Sequence, residues 1–191
     1  MDPNHHYELG LERNDANFAA LTPLSLIQRA ALVYPDHPAL VYGETTHTWS
    51  EVYSRCRQLA SALAQRGVRR GDTVAVLAPN VPAIYEASFG VSMAGAVLNT
   101  LNTRLDADII AFSLDHGEAK VLITDRELSP IAKAAVDKCQ TKPLVIDIDD
   151  PDATGGECFG EMEYEAFVAS GDPNFAEVMP EDEWDAISLN Y

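Results

Sequence analysis

The sequence predicts an α/β protein in which a mainly parallel sheet carries helices on both faces, with a small β-hairpin beside it. Three observations carry this. Residues 71–105 read as a complete strand, helix and strand; apolar and amphipathic runs then keep alternating as far as Ile148; and two β-rich runs upstream meet across Gly43-Glu44. Such alternation builds parallel sheets, because each crossover lays its helix on a face of the sheet.

Residues 1–20 read as a polar arm without periodicity. Thr22 can cap a helix with Pro23 in its first turn, and Leu24, Ile27 and Ala31 share one side of it. Pro35 ends it. Residues 39–42 and 45–49 form the hairpin, with Trp49 as a strand anchor. Ser50 is the expected N-cap of the next helix, whose buried face is Val52, Cys56, Leu59 and Leu63 and whose stop is Gly67.

Residues 73–78 are an apolar, β-branched run suited to burial on both faces of a parallel sheet. Pro79 closes it, Asn80 is the expected cap of the following helix, and Pro82 sits in a first turn where a missing N–H costs nothing. That helix runs to Met93 and Gly95 releases the chain. Residues 96–101 then form a second strand, laid parallel to the first by a right-handed crossover. The polar corner Asn102-Thr103-Arg104-Leu105 follows at the carboxyl end of that strand, where open parallel sheets gather ligand groups.

Asp106 caps a helix bearing Ile109, Ile110, Phe112 and Leu114, which Gly117 ends, and residues 120–124 form the next strand. Ser129-Pro130 opens a helix to Cys139, and residues 143–148 are another strand. Residues 149–160 read as an acidic surface loop, 162–169 as a short helix broken by Gly171-Asp172-Pro173, and 186–191 as a last strand. An apolar strand ordinarily leads into an element that covers it. The expected organisation is therefore the arm 1–20 and one α/β unit over 21–191, the front piece of a longer protein, with its uncovered strand a surface for homo-oligomer formation.

Composition excludes several classes. The hydrophobic fraction of 47% is ordinary for a globular protein, and no run approaches the roughly 18 apolar residues of a membrane span. Residues 1–12 hold no basic segment followed by an apolar one, so no secretory leader is read and a cytoplasmic setting is expected. A net charge of −17 opposes a nucleic-acid partner, which needs a basic patch. After Lys142 there is no Lys or Arg, while acids recur from Asp147 to Asp185; a solvated acidic surface is the expected outcome, ahead of a dock for a basic partner. The five histidines are too scattered to suggest a metal site, and Cys56, Cys139 and Cys158 suit reduced thiols better than a disulfide framework. Tyr85, Phe89 and Met93 share a helical face with Ile84 and read as core rather than acyl pocket, while Asn99 and Asn102 read as turn formers. No G-x-G-x-x-G follows a strand, and no Ser/His/Asp order forms a triad.

Several short pieces recur together in order and spacing: Pro35-Asp36-His37-Pro38-Ala39-Leu40, Thr48-Trp49-Ser50-Glu51, Leu59-Ala60 with Leu63, and Gly71-Asp72 with Val74-Ala75. Pro79-Asn80 with Pro82, Gly95-Ala96-Val97 and Leu101-Asn102-Thr103-Arg104-Leu105 complete the set. Over about residues 21–191 the chain thereby resembles the N-terminal subdomain of the adenylate-forming acyl-CoA synthetases. Residues 98–106 look most like the short- and medium-chain fatty acyl-CoA ligases, including those that activate methylthio-propionate.

The resemblance implies a small carboxylic acid as substrate, with ATP, magnesium and coenzyme A as the other components. It implies that Arg104, matching the Arg of the family's Asn-x-Arg-Leu corner, lies near the nucleotide phosphate of coenzyme A; the competing reading is a surface Arg paired with Asp106 or Asp108. It implies that Tyr191 opens the Tyr-Thr-Ser-Gly-Thr-Thr-Gly phosphate loop, whose glycines are not among these residues. No catalytic residue and no metal ligand is implied within residues 1–191, and the stretch alone is expected to be inactive. The alternatives are a noncatalytic scaffold or interaction module of the same family, or a domain that loads a carrier protein.

Overall fold

Helix and strand alternate along residues 9–191, the part of the chain that the computed structural model describes. Residues 1–8 of the expected arm lie outside it, and residues 9–20 form turns without a regular element. Helix α1 (Leu24–Val33) leads into the hairpin β1 (Pro38–Tyr42) and β2 (Thr45–Thr48), followed by α2 (Trp49–Gln65). Next come β3 (Thr73–Leu77), α3 (Pro82–Met93), β4 (Val97–Thr100), α4 (Ala107–His116) and β5 (Ala119–Asp125). The chain continues through α5 (Ser129–Lys138), β6 (Leu144–Ile148), β7 (Met162–Glu163), α6 (Tyr164–Ala169) and β8 (Ser188–Leu189).

Six strands form one parallel sheet in the order β7-β6-β5-β3-β4-β8, and β1 and β2 form a separate antiparallel pair. Every residue of β3 is buried, since it sits mid-sheet with helices over both faces. Its side chains alternate between two cores. Val74 and Val76 pack with α1, α2, α3 and α6, whereas Ala75 and Leu77 pack with α4 and α5. The expected fold class, hairpin included, is the one observed.

Local chemistry moves several boundaries. The cap of α2 is Thr48, not Ser50: the Thr48 Oγ1 accepts from the Glu51 backbone N–H at 3.3 Å, and the Glu51 carboxylate accepts from the Thr48 N–H at 2.7 Å. This reciprocal pair needs a Thr-x-x-Glu spacing, which Thr48 satisfies and Ser50 does not. Trp49 consequently opens the helix instead of anchoring the strand. Asn80 does not cap α3 either, because extended Val81 takes that position directly before Pro82. Pro23 is the capping residue of α1, and Thr22 Oγ1 accepts from the Leu24 N–H one residue further on. Asp106 caps α4 as expected, its carboxylate accepting from the Ile109 N–H at 2.9 Å. The expected helix at 162–169 is a two-residue strand followed by α6, and of the expected strand at 186–191 only Ser188–Leu189 pairs with β4.

The acidic C-terminal portion is not simply solvated. It folds back over basic residues upstream of it: Glu165 meets Arg55 at 2.7 Å, Asp185 meets Arg70 at 2.9 Å, Asp149 meets Arg126 at 3.1 Å and Glu157 meets Lys133 at 3.3 Å. Exposed pairs of this kind each contribute at most about 1 kcal/mol. Backbone and buried contacts do more to fix the segment. The Val178 N–H donates to the Met93 carbonyl at 2.8 Å, and Gln28 donates to Glu177 at 2.6 Å. Gly95, at φ +74°, allows Val178 to sit where a side chain would collide with it.

Candidate functional site

The chain leaves β3 through α3 on one face of the sheet and leaves β4 through α4 on the other. Where adjacent connections diverge in this way, a crevice opens at the carboxyl ends of the strands. A groove of about 570 Å³ lies there, between the hairpin and the start of α3. Leu40 and Tyr42 wall one side, Pro82 and Tyr85 the other, and Asn80 and Thr100 supply polar groups at the strand ends. The aromatic stripe of α3 is therefore divided: Met93 is core as expected, whereas half-buried Tyr85 lines the groove and meets Phe89 edge-on at 5.5 Å.

A second cavity of about 540 Å³ shares Tyr42, Val81 and Pro82 with the groove and reaches Arg55, His47 and Asp150. The Tyr42 hydroxyl donates to Asp150 Oδ2 at 2.7 Å, tying the hairpin to the loop after β6. That hydrogen bond to a carboxylate, with some burial, pushes the Tyr42 phenol up to about 12.

Two buried carboxylates stand near the carboxyl ends of neighbouring strands. Asp125 Oδ1 accepts from the Glu127 N–H at 2.8 Å and Asp147 Oδ2 accepts from the Gly160 N–H, but the other oxygen of each has no partner among the described residues. Burial raises both above the usual carboxylate range. A carboxylate whose folded pKa is raised stabilises relative to the charged form only while protonated, so its contribution fades as pH rises from the unfolded value through the folded one. Asp125→Asn keeps the acceptor for Glu127 and removes the buried charge. Its expected effect is a gain of about 1 kcal/mol in urea unfolding at pH 8, shrinking toward zero as pH falls to about 4.

Asn102 holds the corner as expected, its Oδ1 accepting from the Arg104 N–H at 3.0 Å. Asn99 holds no turn. It is fully buried in β4, in register between Ala75 and Leu189, with neither amide atom partnered among the described residues.

Arg104 is exposed on the turn leading into α4, and its guanidinium has no ion pair or hydrogen bond among the described residues. The pairings weighed against a ligand role are not made: Asp106 caps α4, and Asp108 pairs with Lys138 at 2.6 Å. Tyr191 lies beyond β8, and its hydroxyl is 2.8 Å from His116 Nδ1. The two candidate positions thus flank opposite ends of α4, a helix of 10 residues and so about 15 Å long. Neither lines the groove or the second cavity. In the sequence His116 is one of five scattered histidines with no metal-ligand spacing. Its spacing of four from Phe112 puts both rings on one helix face, but nothing local says that a tyrosine 75 residues later meets them.

Residues 27–191 match the family model described as AMP-binding enzyme. The chain belongs to that family. Among the relatives of this AMP-binding family member, an acetate/butyrate–CoA ligase of Arabidopsis thaliana is 44% identical over 193 residues, covering 95% of this chain and 34% of the relative. An acetate–CoA ligase of Humulus lupulus is 43% identical, and a peroxisomal trans-cinnamate:CoA ligase of Petunia hybrida is 42% identical, each with the same coverage. The chain spans about a third of the length of these curated relatives. Its fold matches an anthranilate CoA ligase solved with anthranoyl-AMP, with a TM-score of 0.82 at 20% identity, over 94% of this chain and 34% of that one. A long-chain-fatty-acid CoA ligase from Rhodopseudomonas palustris superposes with a TM-score of 0.74 at 25% identity, over 88% of this chain and 41% of that one.

Among the described residues of the AMP-binding unit, no group of His, Cys, Asp or Glu could hold a metal ion, and no helix is long and apolar enough to cross a membrane.

Proposed function

We propose that the chain is the N-terminal part of an AMP-forming acyl-CoA ligase acting on a short- or medium-chain carboxylic acid in the cytoplasm. The observation that carries this reading is 44% identity, across 95% of the chain, to a relative named for acetate and butyrate. In the proposed reaction a carboxylate oxygen attacks the α-phosphorus of ATP, and pyrophosphate leaves. The sulfur of coenzyme A then attacks the acyl carbon, AMP leaves with the bonding pair, and a thioester remains. Activation is needed because a free carboxylate offers no adequate leaving group.

Two residues of this chain take binding roles in the proposal. Arg104 offers a fork of fixed donors to the nucleotide phosphate of coenzyme A, and its exposed guanidinium, unpaired among the described residues, supports that. Tyr191 begins the segment that holds the ATP phosphates. Magnesium would bridge the ATP phosphates and neutralise the charge that builds on them.

The test is release of pyrophosphate by the full-length gene product with a panel of carboxylic acids, acetate and butyrate included. Pyrophosphate dependent on one such acid, with its thioester as product, is the expected result; none with any acid would favour a noncatalytic module. In the same enzyme, Arg104→Ala raises KM for coenzyme A about tenfold with KM for ATP unchanged, the scale of one lost charge-assisted phosphate contact. An unchanged KM for coenzyme A would remove Arg104 from the site. A fluorescent fusion of the full-length protein decides the compartment, since relatives of this chain include enzymes named as peroxisomal.

A further inference from the structure

We propose that the C-terminal end of α4 is a dock for Tyr191, with His116 as a positioning residue for the ATP-binding segment that Tyr191 begins. The dock is built from three parts. His116 Nδ1 lies 2.8 Å from the Tyr191 hydroxyl, which fixes the far end of the ring. The two rings also meet edge to face, with centroids 5.7 Å apart and planes at 76°. Phe112, one turn earlier on α4, stacks on His116 at 5.3 Å and 17° and presents a second edge contact to Tyr191 at 6.1 Å.

The third part is an absence of side chain. A Cβ at Gly117 would stand 3.3 Å from the Tyr191 hydroxyl, 3.1 Å from Leu189 Cδ2 and 2.9 Å from the Ser113 carbonyl oxygen. Gly117 thus clears the space into which β8 and Tyr191 settle. Edge-to-face and offset-stacked geometries are the favoured ones for aromatic pairs, and a ring ordered through two torsions loses little conformational freedom. This cluster therefore orients a solvent-facing tyrosine that the two-residue ladder of β8 alone, Ser188 and Leu189 paired to Leu98 and Asn99, would leave free to swing.

The consequence concerns chain direction. Tyr191 lies two residues beyond the last paired residue of β8, so holding its ring against α4 fixes the heading with which the backbone leaves the sheet. Backbone N–H groups cradle a phosphate only when that heading is set beforehand. The inference rests on the proposed ligase function and adds to it the element that aims the ATP-binding segment.

The experiment uses the full-length ligase with His116→Ala, His116→Gln, Tyr191→Phe and the His116→Ala/Tyr191→Phe double variant. Expected is a rise of about fivefold in KM for ATP in His116→Ala, close to 1 kcal/mol at 25 °C, with KM for the carboxylic acid and for coenzyme A within twofold of wild type. His116→Gln, which keeps a hydrogen-bonding group, recovers most of the loss. The double variant is no worse than His116→Ala, because both changes cut the same contact. An unchanged KM for ATP, or effects that multiply in the double variant, would overturn the proposal. The contact has its own readout, the 15N chemical shift of His116 Nδ1, which moves in Tyr191→Phe if the pair exists and stays put if it does not. A wild-type protein that neither binds ATP nor releases pyrophosphate sinks the ligase reading itself, and with it the assignment of Tyr191 to ATP, whereas failure of the variants alone sinks only the dock.

Discussion

Replacing Glu86 by alanine lowers the unfolding free energy by about 3 kcal/mol, because it takes from a mostly buried arginine the buried one of its two carboxylate partners, leaving only exposed Glu165, and strips the Tyr164 hydroxyl of its acceptor. Glu86 lies on α3 with no exposed side-chain surface, and Arg55 reaches it from α2 through Nε at 2.5 Å and Nη2 at 3.1 Å. The Tyr164 hydroxyl on α6 donates to the same carboxylate at 2.9 Å, so one side chain joins three helices. Burial alone would weaken the charge on Arg55, but hydrogen bonds to Glu165 and Glu86 outweigh it and hold the guanidinium above its usual range. Urea denaturation followed by circular dichroism measures the loss. Arg55→Ala is destabilising on the same scale, and the double variant Arg55→Ala/Glu86→Ala loses clearly less than the sum. Additive losses would mean that the pair contributes nothing as a pair.

Gly171→Ala is expected to lose about 2–3 kcal/mol, for a reason of space rather than conformation. The added Cβ would overlap the carbonyl of Gln58, where the chain after α6 lies directly on α2. Both clashing partners are backbone, so neither can turn aside, and either the loop lifts or the helix shifts. Gly67 is the matched control. At φ +83° with nothing within 4 Å of its missing Cβ, Gly67→Ala carries only backbone strain, about 1 kcal/mol. Limited proteolysis gives a second measure: Gly171→Ala opens residues 172–185 to cleavage at protease levels that leave Gly67→Ala intact.

What the sequence made legible was whatever local pattern determines. The apolar run of β3, the Asp106 cap and the Gly95 turn follow from residue type and spacing alone, and the alternation they punctuate gives the parallel sheet. The cap of α2 is legible too, since Thr48 and Glu51 stand at the spacing of a capping box, which Ser50 lacks. Non-local features were not legible. Nothing near Glu86 announces that Arg55 and Tyr164 converge on it, and the acids after Lys142 that pair with bases far upstream, exposed as expected, give no local sign of those partners. At the candidate site the Asn102–Arg104 corner was readable as a turn at a strand end. The distance along α4 between Arg104 and the Tyr191 ring was not, because two strand ends read from sequence carry no information on where a side chain folds back.

The pairing of early bases with late acids has a consequence for synthesis. A ribosome releases Arg66 and Arg70 long before it has joined Glu161 and Asp185, their eventual counterparts. The nascent first half must therefore travel with these cations open to the polyanions around it, and its outer layer closes only when the last of the acids emerges.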